Sequence, residues 1–244
     1  MANRVTNPRK TKPTEPRDNK NDLLERPEAI QERFSGTEDF VKKNATALTI
    51  VAVVIALIIG GIVGYRYYQS NQNATAQEEM FQAIYYFEGD SLNLALNGDG
   101  NNYGFLEIID EFGGTDAANL AHYYAGAAYL QQGDYQSALD HLGDFSASDL
   151  LVQARAYALM GDAHMELGNY EQAAQQYEDA ANYKPNKFFS PQYLAQAALA
   201  YEAAGNYAAA AERYQRIIQE YPTSEQYQEA QKQFARLKAL AGKS

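Results

Sequence analysis

The 244-residue chain contains neither cysteine nor tryptophan. The first absence excludes a disulfide framework, a thiolate nucleophile and a cysteine-ligated metal site. Tyrosine, in contrast, occurs 20 times. Because its ring is apolar and its tip is polar, tyrosine suits the seams between amphipathic helices.

Positive charge is absent from a long stretch, since no Lys or Arg occurs from Tyr67 to Ala154. The formal net charge of the chain is −11. Residues 1–43 hold ten Lys/Arg and eight Asp/Glu, a net of +2, so the remaining residues carry −13. A field of that sign repels nucleic acid and anionic lipid headgroups, which excludes nucleic-acid binding.

An uncharged apolar run covers residues 45–64. Its length matches the roughly 30 Å hydrocarbon core of a bilayer at about 1.5 Å per helical residue. Lys42 and Lys43 precede the run, whereas an acidic region follows it. The positive-inside rule therefore predicts a single-pass protein of the bacterial inner membrane, with residues 1–43 cytoplasmic and residues 67–244 periplasmic. A cleaved signal peptide is the alternative, but it would have a shorter apolar region behind a shorter basic segment.

One face of the predicted membrane helix carries a small residue at every fourth position. These residues are Ala52, Ala56, Gly60 and Gly64. Small side chains at this spacing let a second helix approach closely in lipid, so one interpretation is docking to a partner or to another copy. The other is that Gly and Ala are simply frequent in membrane helices.

The regions flanking the membrane segment differ in composition. Residues 1–22 are predicted to be disordered, because they have almost nothing to bury. Residues 23–43 fit either a short amphipathic helix on the inner leaflet or a fraying linker. Residues 65–75 are predicted to be a linker, and residues 76–242 a folded helical domain.

Three segments align without gaps, which indicates an internal repeat. They read YLQQGDYQSALDHL, HMELGNYEQAAQQY and YEAAGNYAAAAERY, and they begin at residues 129, 164 and 201. Their glycines are Gly133, Gly168 and Gly205, at separations of 35 and 37 residues. A Tyr follows each Gly by two residues, and an Ala follows it by five.

Each segment predicts a helical hairpin. The Gly ends one helix by adopting a positive φ, and the Asp or Asn after it caps the next helix. The expected caps are Asp134, Asn169 and Asn206. The Tyr is expected to fill the seam, and the small Ala lets the two helices cross closely. Pro185 and Pro222 end the second and third units, because proline cannot continue a helix.

The pattern resembles the tetratricopeptide repeat, a helical hairpin of about 34 residues with a small residue in its first helix and an Ala in its second. The small first-helix position is held by Gly126, Gly161 and Ala198. The family's aromatic second-helix position is held by Leu142, which departs from the pattern, and by Tyr177 and Tyr214. The resemblance implies an all-α, tetratricopeptide-type α-solenoid with about three hairpins, following one transmembrane helix.

The ends of the repeat domain are less regular. Residues 75–118 fit a degenerate first hairpin, because terminal repeats are usually atypical. Helices are predicted at residues 76–87 and 103–112, with a loop between them. Residues 224–241 are predicted to form a final helix that caps the stack.

The sequence shows no constellation of residues for catalysis. His122, His141 and His164 are scattered, with no pair at metal-ligand spacing. The turn NGDGNN at residues 97–102 lacks the ligand spacing and the closing Glu of an EF-hand. We therefore expect neither an enzyme nor a cofactor or metal site, and protein binding is the remaining function.

The resemblance implies a concave groove, lined by the first helices of the hairpins, that binds other proteins. The family's groove positions correspond here to Tyr123, Ala127, Leu130, Arg155, Asp162, Glu166, Gln192, Gln196 and Glu202. These residues are mainly aromatic, amide and acidic, so we expect an extended or unfolded partner segment, basic rather than an acidic tail. The alternative is that these residues merely face solvent.

The order of tail, apolar segment, degenerate hairpin and GGTDAANLAHYYAGAAYLQQGDYQSAL resembles the YfgM-like family of bacterial inner-membrane proteins. Members of that family are ancillary subunits of the Sec translocon and associate with a membrane-anchored periplasmic chaperone. The resemblance implies an adaptor that binds translocon subunits, the chaperone or exported chains. The alternative is a structural scaffold that self-assembles or tethers a cell-envelope complex.

Overall fold

A computed structural model of the chain describes residues 40–242. The predictions for residues 1–22, and most of those for residues 23–43, lie outside the described residues. Within residues 40–242 the fold is helical with no strand, which confirms the expected class. The helices are α1 (Ala45–Glu88), α2 (Leu92–Asn97), α3 (Phe105–Glu111), α4 (Asp116–Gln132), α5 (Tyr135–Asp144), α6 (Leu150–Glu166), α7 (Tyr170–Asn182), α8 (Ser190–Ala203), α9 (Tyr207–Glu220) and α10 (Tyr227–Ala241).

The first helix, α1, is 44 residues long. The side chains of residues 45–64 are exposed, and by length and composition this part of the helix could cross a membrane. Residues 65–75 do not form the predicted linker. They continue the helix, because they include neither the Gly nor the Pro that would weaken or break it. The chain divides between Gly64 and Tyr65 into two units.

Polar side chains of the expected linker bind the backbone around the start of α4. Gln69 Nε2 donates to Gly114 O at 3.0 Å. Asn73 Oδ1 accepts from Ala117 N at 2.9 Å. These residues are therefore part of the folded repeat unit.

The degenerate first hairpin is formed by the end of α1 together with α2 and α3. Met80 and Ala83 share a buried cluster with Leu96, Phe105 and Ile108. Helix α3 lies within the predicted helix at residues 103–112, but α2 lies in the stretch that was expected to be a loop. Its six residues are too few for a helical period to be recognised in the sequence.

The three repeated hairpins have the predicted turns and crossings. Their glycines adopt left-handed φ angles of 82°, 75° and 77° at Gly133, Gly168 and Gly205. Such angles are unfavourable for other residues, so these turns depend on glycine. The alanines five residues later, Ala138, Ala173 and Ala210, are fully buried.

The predicted caps are present in two of the three hairpins. Asp134 Oδ1 accepts from the backbone N–H three residues on at 3.2 Å, and Asn206 Oδ1 does the same at 3.1 Å. Asn169 occupies the predicted N-cap position of α7, but its side chain makes no cap bond. The tyrosines expected between the helices of each hairpin also differ in burial. Tyr170 is exposed, whereas Tyr135 and Tyr207 are partly buried.

Glycines in the first helices lie against large side chains of the second helices. A Cβ added to Gly126 would lie 2.6 Å from Leu142 Cγ, and one added to Gly161 would lie 2.6 Å from Tyr177 Cε1. Two non-bonded carbons do not approach so closely, so the first two hairpins have no room for a side chain at these positions. This contact explains the small-residue position that the sequence pattern indicated.

The final helix, α10, covers the end of the stack as predicted. It buries Ala230 and Leu237. Arg236 also forms a two-pronged ion pair with Glu202 of α8, with N–O distances of 2.9 and 2.5 Å.

Two histidines meet where α4 packs on α5, so the prediction of scattered histidines is wrong. His122 Nδ1 and His141 Nδ1 are 3.2 Å apart, as in a hydrogen bond between neutral rings. Burial lowers the pKa of both imidazoles, and Asp144 opposes the shift. The sequence hid the pair because only the hairpin turn brings the two residues together.

The glycine packing gives a test of the fold. We expect Gly161→Ala to lower the free energy of unfolding by about 1–3 kcal/mol, because the methyl group overpacks against Tyr177. Gly143→Ala is the matched control, since Gly143 lies in α5 and a Cβ added to it would have nothing within 4 Å. It should be neutral or stabilising by up to about 1 kcal/mol. Urea unfolding of the full chain in detergent, followed by circular dichroism, measures both, and an unchanged midpoint for Gly161→Ala would contradict the packing.

The histidine pair predicts a loss of stability in mild acid. Each folded-state pKa lies below the ordinary value of 6.5, so the unfolded chain binds protons more readily than the fold. The free energy of unfolding is therefore at its full value above about pH 6.5 and falls as the pH drops toward the folded-state pKa.

We expect the double variant His122→Gln/His141→Gln to reduce this dependence between about pH 7.5 and pH 5.5. Urea titrations at a series of pH values measure the effect. Burial also lowers the pKa of His164, which accounts for a residual slope. The interpretation fails if the double variant is as pH-dependent as the unaltered protein.

Candidate protein-binding groove

The predicted groove residues lie on the first helices of the hairpins, α4, α6 and α8. On α6, helical spacing aligns Arg155, Asp162 and Glu166 on one face. The same spacing adds Leu151 to this face and Leu199 to the face of Gln192 and Gln196 on α8. Both leucines are more than half exposed. Sequence reasoning missed them, although their spacing from the predicted residues was a usable signal.

Tyr123 and Arg155 interact between α4 and α6. The Tyr123 ring is half-buried, with its centroid 5.3 Å from that of Phe145. Burial raises the pKa of Tyr123, and the neighbouring Arg155 guanidinium partly opposes this effect. Arg155 also lines a common cavity with Tyr193 of α8.

The acidic groove residue Asp162 is engaged inside its own hairpin. Its Oδ1 accepts from the Tyr177 hydroxyl at 2.6 Å. Burial raises the pKa of Asp162, whereas the Tyr177 bond and nearby Arg155 lower it. Asp162 therefore helps to hold α6 on α7.

The other two predicted acids also have internal partners. Glu166 accepts from the Tyr135 hydroxyl at 3.3 Å. Glu202 is held by the ion pair with Arg236. Of the three predicted acids, only Glu202 is neutralised by a cation, whereas Asp162 and Glu166 accept hydrogen bonds from tyrosine hydroxyls.

The remaining predicted residues divide between core and surface. Ala127 is buried beside Leu142, and Leu130 packs on the same cluster while staying partly exposed. Gln192 is exposed. Gln196 has a buried Oε1 without a hydrogen-bond partner among the described residues.

A cavity of about 280 Å³ opens where α6 and α8 approach each other. Of the predicted residues, it brings together Arg155 and Gln192. Its other lining residues were not predicted: Leu150, Leu151, Ala154, Ala180, Asn186, Phe189 and Tyr193. The lining is mostly apolar with a few polar groups, as in many ligand-binding sites.

A turn at residues 183–189 borders this cavity and holds two phenylalanines at the surface. Phe188 is 71% exposed and Phe189 is 39% exposed. Asn186 Oδ1 accepts from the backbone N–H of both, at 3.0 and 2.9 Å. The buried Ser190 hydroxyl accepts from Asn186 N at 2.9 Å and donates to a carbonyl oxygen of α7 at 2.8 Å. The exposure of the rings is therefore imposed by a hydrogen-bonded turn.

Sequence reasoning also missed this aromatic turn. Its signal was the adjacent pair Phe188-Phe189 just before Pro191, which stands in the first turn of α8. Large aromatic side chains in a turn have no helical face to bury, so they point to a surface contact.

No group of three or more metal-ligating side chains occurs in the described part of the chain. In the NGDGNN turn, Asp99 Oδ1 accepts from the backbone N–H groups of Asn101 and Asn102. Asp99 Oδ2 accepts from the Tyr86 hydroxyl at 2.7 Å. These bonds lower the Asp99 pKa and close the turn, which gives this carboxylate a structural role.

The small-residue face of α1 is exposed along its length. Ala52, Ala56, Gly60 and Gly64 are all exposed, and nothing lies within 4 Å of a Cβ built on either glycine. Their use as a packing face stays a prediction.

Comparisons with known proteins agree with this geometry. A tetratricopeptide repeat-like domain model matches residues 38–149. Two tetratricopeptide repeat models match residues 123–187 and 194–224. A comparison with curated proteins gave no match. The matched ranges cover the hairpins described above, and the chain therefore carries a tetratricopeptide-repeat domain.

Proposed function

We propose that this chain is a membrane-anchored adaptor whose repeat domain binds other proteins. The observation that carries the proposal is the set of exposed apolar side chains on and beside the groove faces, namely Leu151, Leu199, Phe188 and Phe189. Exposed apolar clusters with a polar rim are typical of interaction sites. Tetratricopeptide-repeat domains typically bind other proteins and are generally non-catalytic, which favours the same function.

The proposed anchor is residues 45–64, which span the inner membrane once. Their exposed apolar side chains and length support this role. The matched repeat-like domain begins at residue 38, so the match includes the apolar segment together with the first hairpins. Lys42 and Lys43 favour a cytoplasmic amino-terminal side and a periplasmic repeat domain.

The proposed partners are translocon subunits, a membrane-anchored chaperone or newly exported chains. The resemblance to the YfgM-like family supports this choice. An exported chain is unfolded when it emerges and exposes apolar side chains. A groove with exposed leucines beside a rigid aromatic turn is suited to such a chain.

A self-assembling envelope scaffold is the second candidate. It is favoured by the open face of Ala52, Ala56, Gly60 and Gly64, which would allow close helix association in lipid. The two candidates differ in which molecules lie against the groove.

The absence of cysteine makes the topology testable by labelling. A single cysteine replacing Gln172, which is exposed on α7, should react with a membrane-impermeant maleimide in intact spheroplasts. One replacing Ser35 should react only after lysis. A gel shift of the labelled protein measures both, and the reverse pattern would overturn the proposed orientation.

The groove can be tested in native membranes by placing a photo-crosslinking amino acid at position 192, in place of Gln192, and measuring which proteins it captures. We expect the variant Leu151→Asp/Leu199→Asp to reduce partner crosslinking by about tenfold or more, because each buried leucine contributes about 1.5–3 kcal/mol. Gln172→Asp on α7 is the control and should leave crosslinking unchanged.

Mass spectrometry of the crosslinked products separates the candidates. Translocon subunits, a chaperone or exported chains would support the adaptor. Crosslinks only between copies of this chain would support the scaffold instead. An undiminished yield in the double variant would show that the groove is not the binding surface.

A further inference from the structure

Three basic residues of the repeat domain lie at or beside the cavity. Between Tyr67 and Glu212 the Lys and Arg residues are Arg155, Lys184 and Lys187. Arg155 lines the cavity, and both lysines belong to the 183–189 turn that borders it. None of the three forms an ion pair within residues 40–242.

The cavity itself has apolar walls and no acidic residue in its lining. Leu150, Leu151 and Ala154 form one side, and Phe189 and Tyr193 form the other. Its volume of about 280 Å³ is at the small end for ligand pockets. It therefore suits one large apolar side chain better than a cofactor.

The surface continues beyond the cavity on the far side of Gln192. Gln192 also lines a second, more polar depression of about 380 Å³. Lys187 and Phe188 line this depression from the aromatic turn, and Glu225 lies in it too. A bound segment with an apolar side chain in the cavity has room to continue across Gln192 into this second depression.

The aromatic turn is fixed before any partner binds. The Tyr183 hydroxyl donates to Ala147 O at 2.8 Å, and Lys184 Nζ donates to Ser148 O. Together with the Asn186 bonds, these contacts tie the turn to the start of α6. A preorganised surface of this kind loses little conformational entropy on binding.

At the cavity, the presence of Arg155 without an acidic lining residue favours a partner different from the basic segment expected from the sequence. Asp162, Glu166 and Glu202 each have an internal partner. The charge of Arg155 lowers the pKa of Asp162. That carboxylate already accepts a hydrogen bond from the Tyr177 hydroxyl. Five N–H donors on a planar fork leave Arg155 with capacity for a further carboxylate.

We propose that the cavity anchors an extended segment of a partner protein, with a large apolar side chain in the cavity and an adjacent Asp or Glu side chain bound to Arg155. The proposal rests on the proposed protein-binding function and names the chemistry that the groove recognises. The apolar walls of the cavity would contact the large apolar side chain, and the Arg155 guanidinium would bind the carboxylate.

The test uses the full chain in nanodiscs and short fluorescent peptides with both termini blocked. The peptides share a Gly-Ser background and carry Phe next to Asp, in either order, at the centre. Matched peptides replace Asp by Lys, or Phe by Ala. Fluorescence anisotropy should show that one of the Phe/Asp peptides binds about ten- to a hundredfold more tightly than its Lys or Ala counterparts.

Arg155→Glu should abolish this preference for Asp over Lys. Arg216→Glu on α9 is the matched control, because it makes the same change of charge outside the cavity and should keep the preference. Loss of preference in the control as well would show that only the overall field matters, which would overturn the proposal. So would tight binding confined to a peptide with a free terminal carboxylate.

The peptide experiment can fail without the proposed function failing. If crosslinking from position 192 captures other proteins while all the peptides bind alike, the groove binds partners but not through this anchor. If that crosslinking captures only other copies of this chain, a second copy occupies the surface, and both proposals are overturned.

Discussion

The close crossing of the two helices within each hairpin is the constraint on which the rest of the structure depends. Alanine supplies most of the buried apolar side chains among the described residues. At Gly126 and Gly161 even a methyl group is excluded by the side chain opposite. This short distance fixes how the second helix of each of these hairpins lies against the first.

Much of this arrangement could be predicted from sequence because it repeats. The Gly at the end of the first helix, the Ala in the second and the period between units are local patterns with a direct physical cause. Features that occur once were harder to find. Helix α2 is too short to show a period, and residues 65–75 continue a helix because nothing in them stops it.

The candidate site was predictable only in part. The resemblance to the tetratricopeptide repeat indicated Tyr123, Arg155 and Gln192, but it could not show that Asp162 and Glu202 are already engaged by Tyr177 and Arg236. Those partners lie in other helices, so they depend on tertiary packing. The aromatic turn at residues 183–189 was missed because it lies between periodic segments.

The proposed binding surface follows from the same packing. The cores of the hairpins are closed by small residues, so the large apolar side chains of Leu151, Leu199 and Phe188 are not needed inside. Their exposure separates the part of the molecule that maintains the fold from the part available to a partner.

The alanine-rich core has a consequence for how such a domain can vary. In most proteins the damaging core changes remove volume, but an alanine has little volume to lose. Variation in this core must therefore come mainly from enlargement, which would push neighbouring helices apart. The groove helices belong to the same hairpins, so substitutions in the interior would also change the curvature of the outer surface. The evolution of stability is thereby coupled to the evolution of binding.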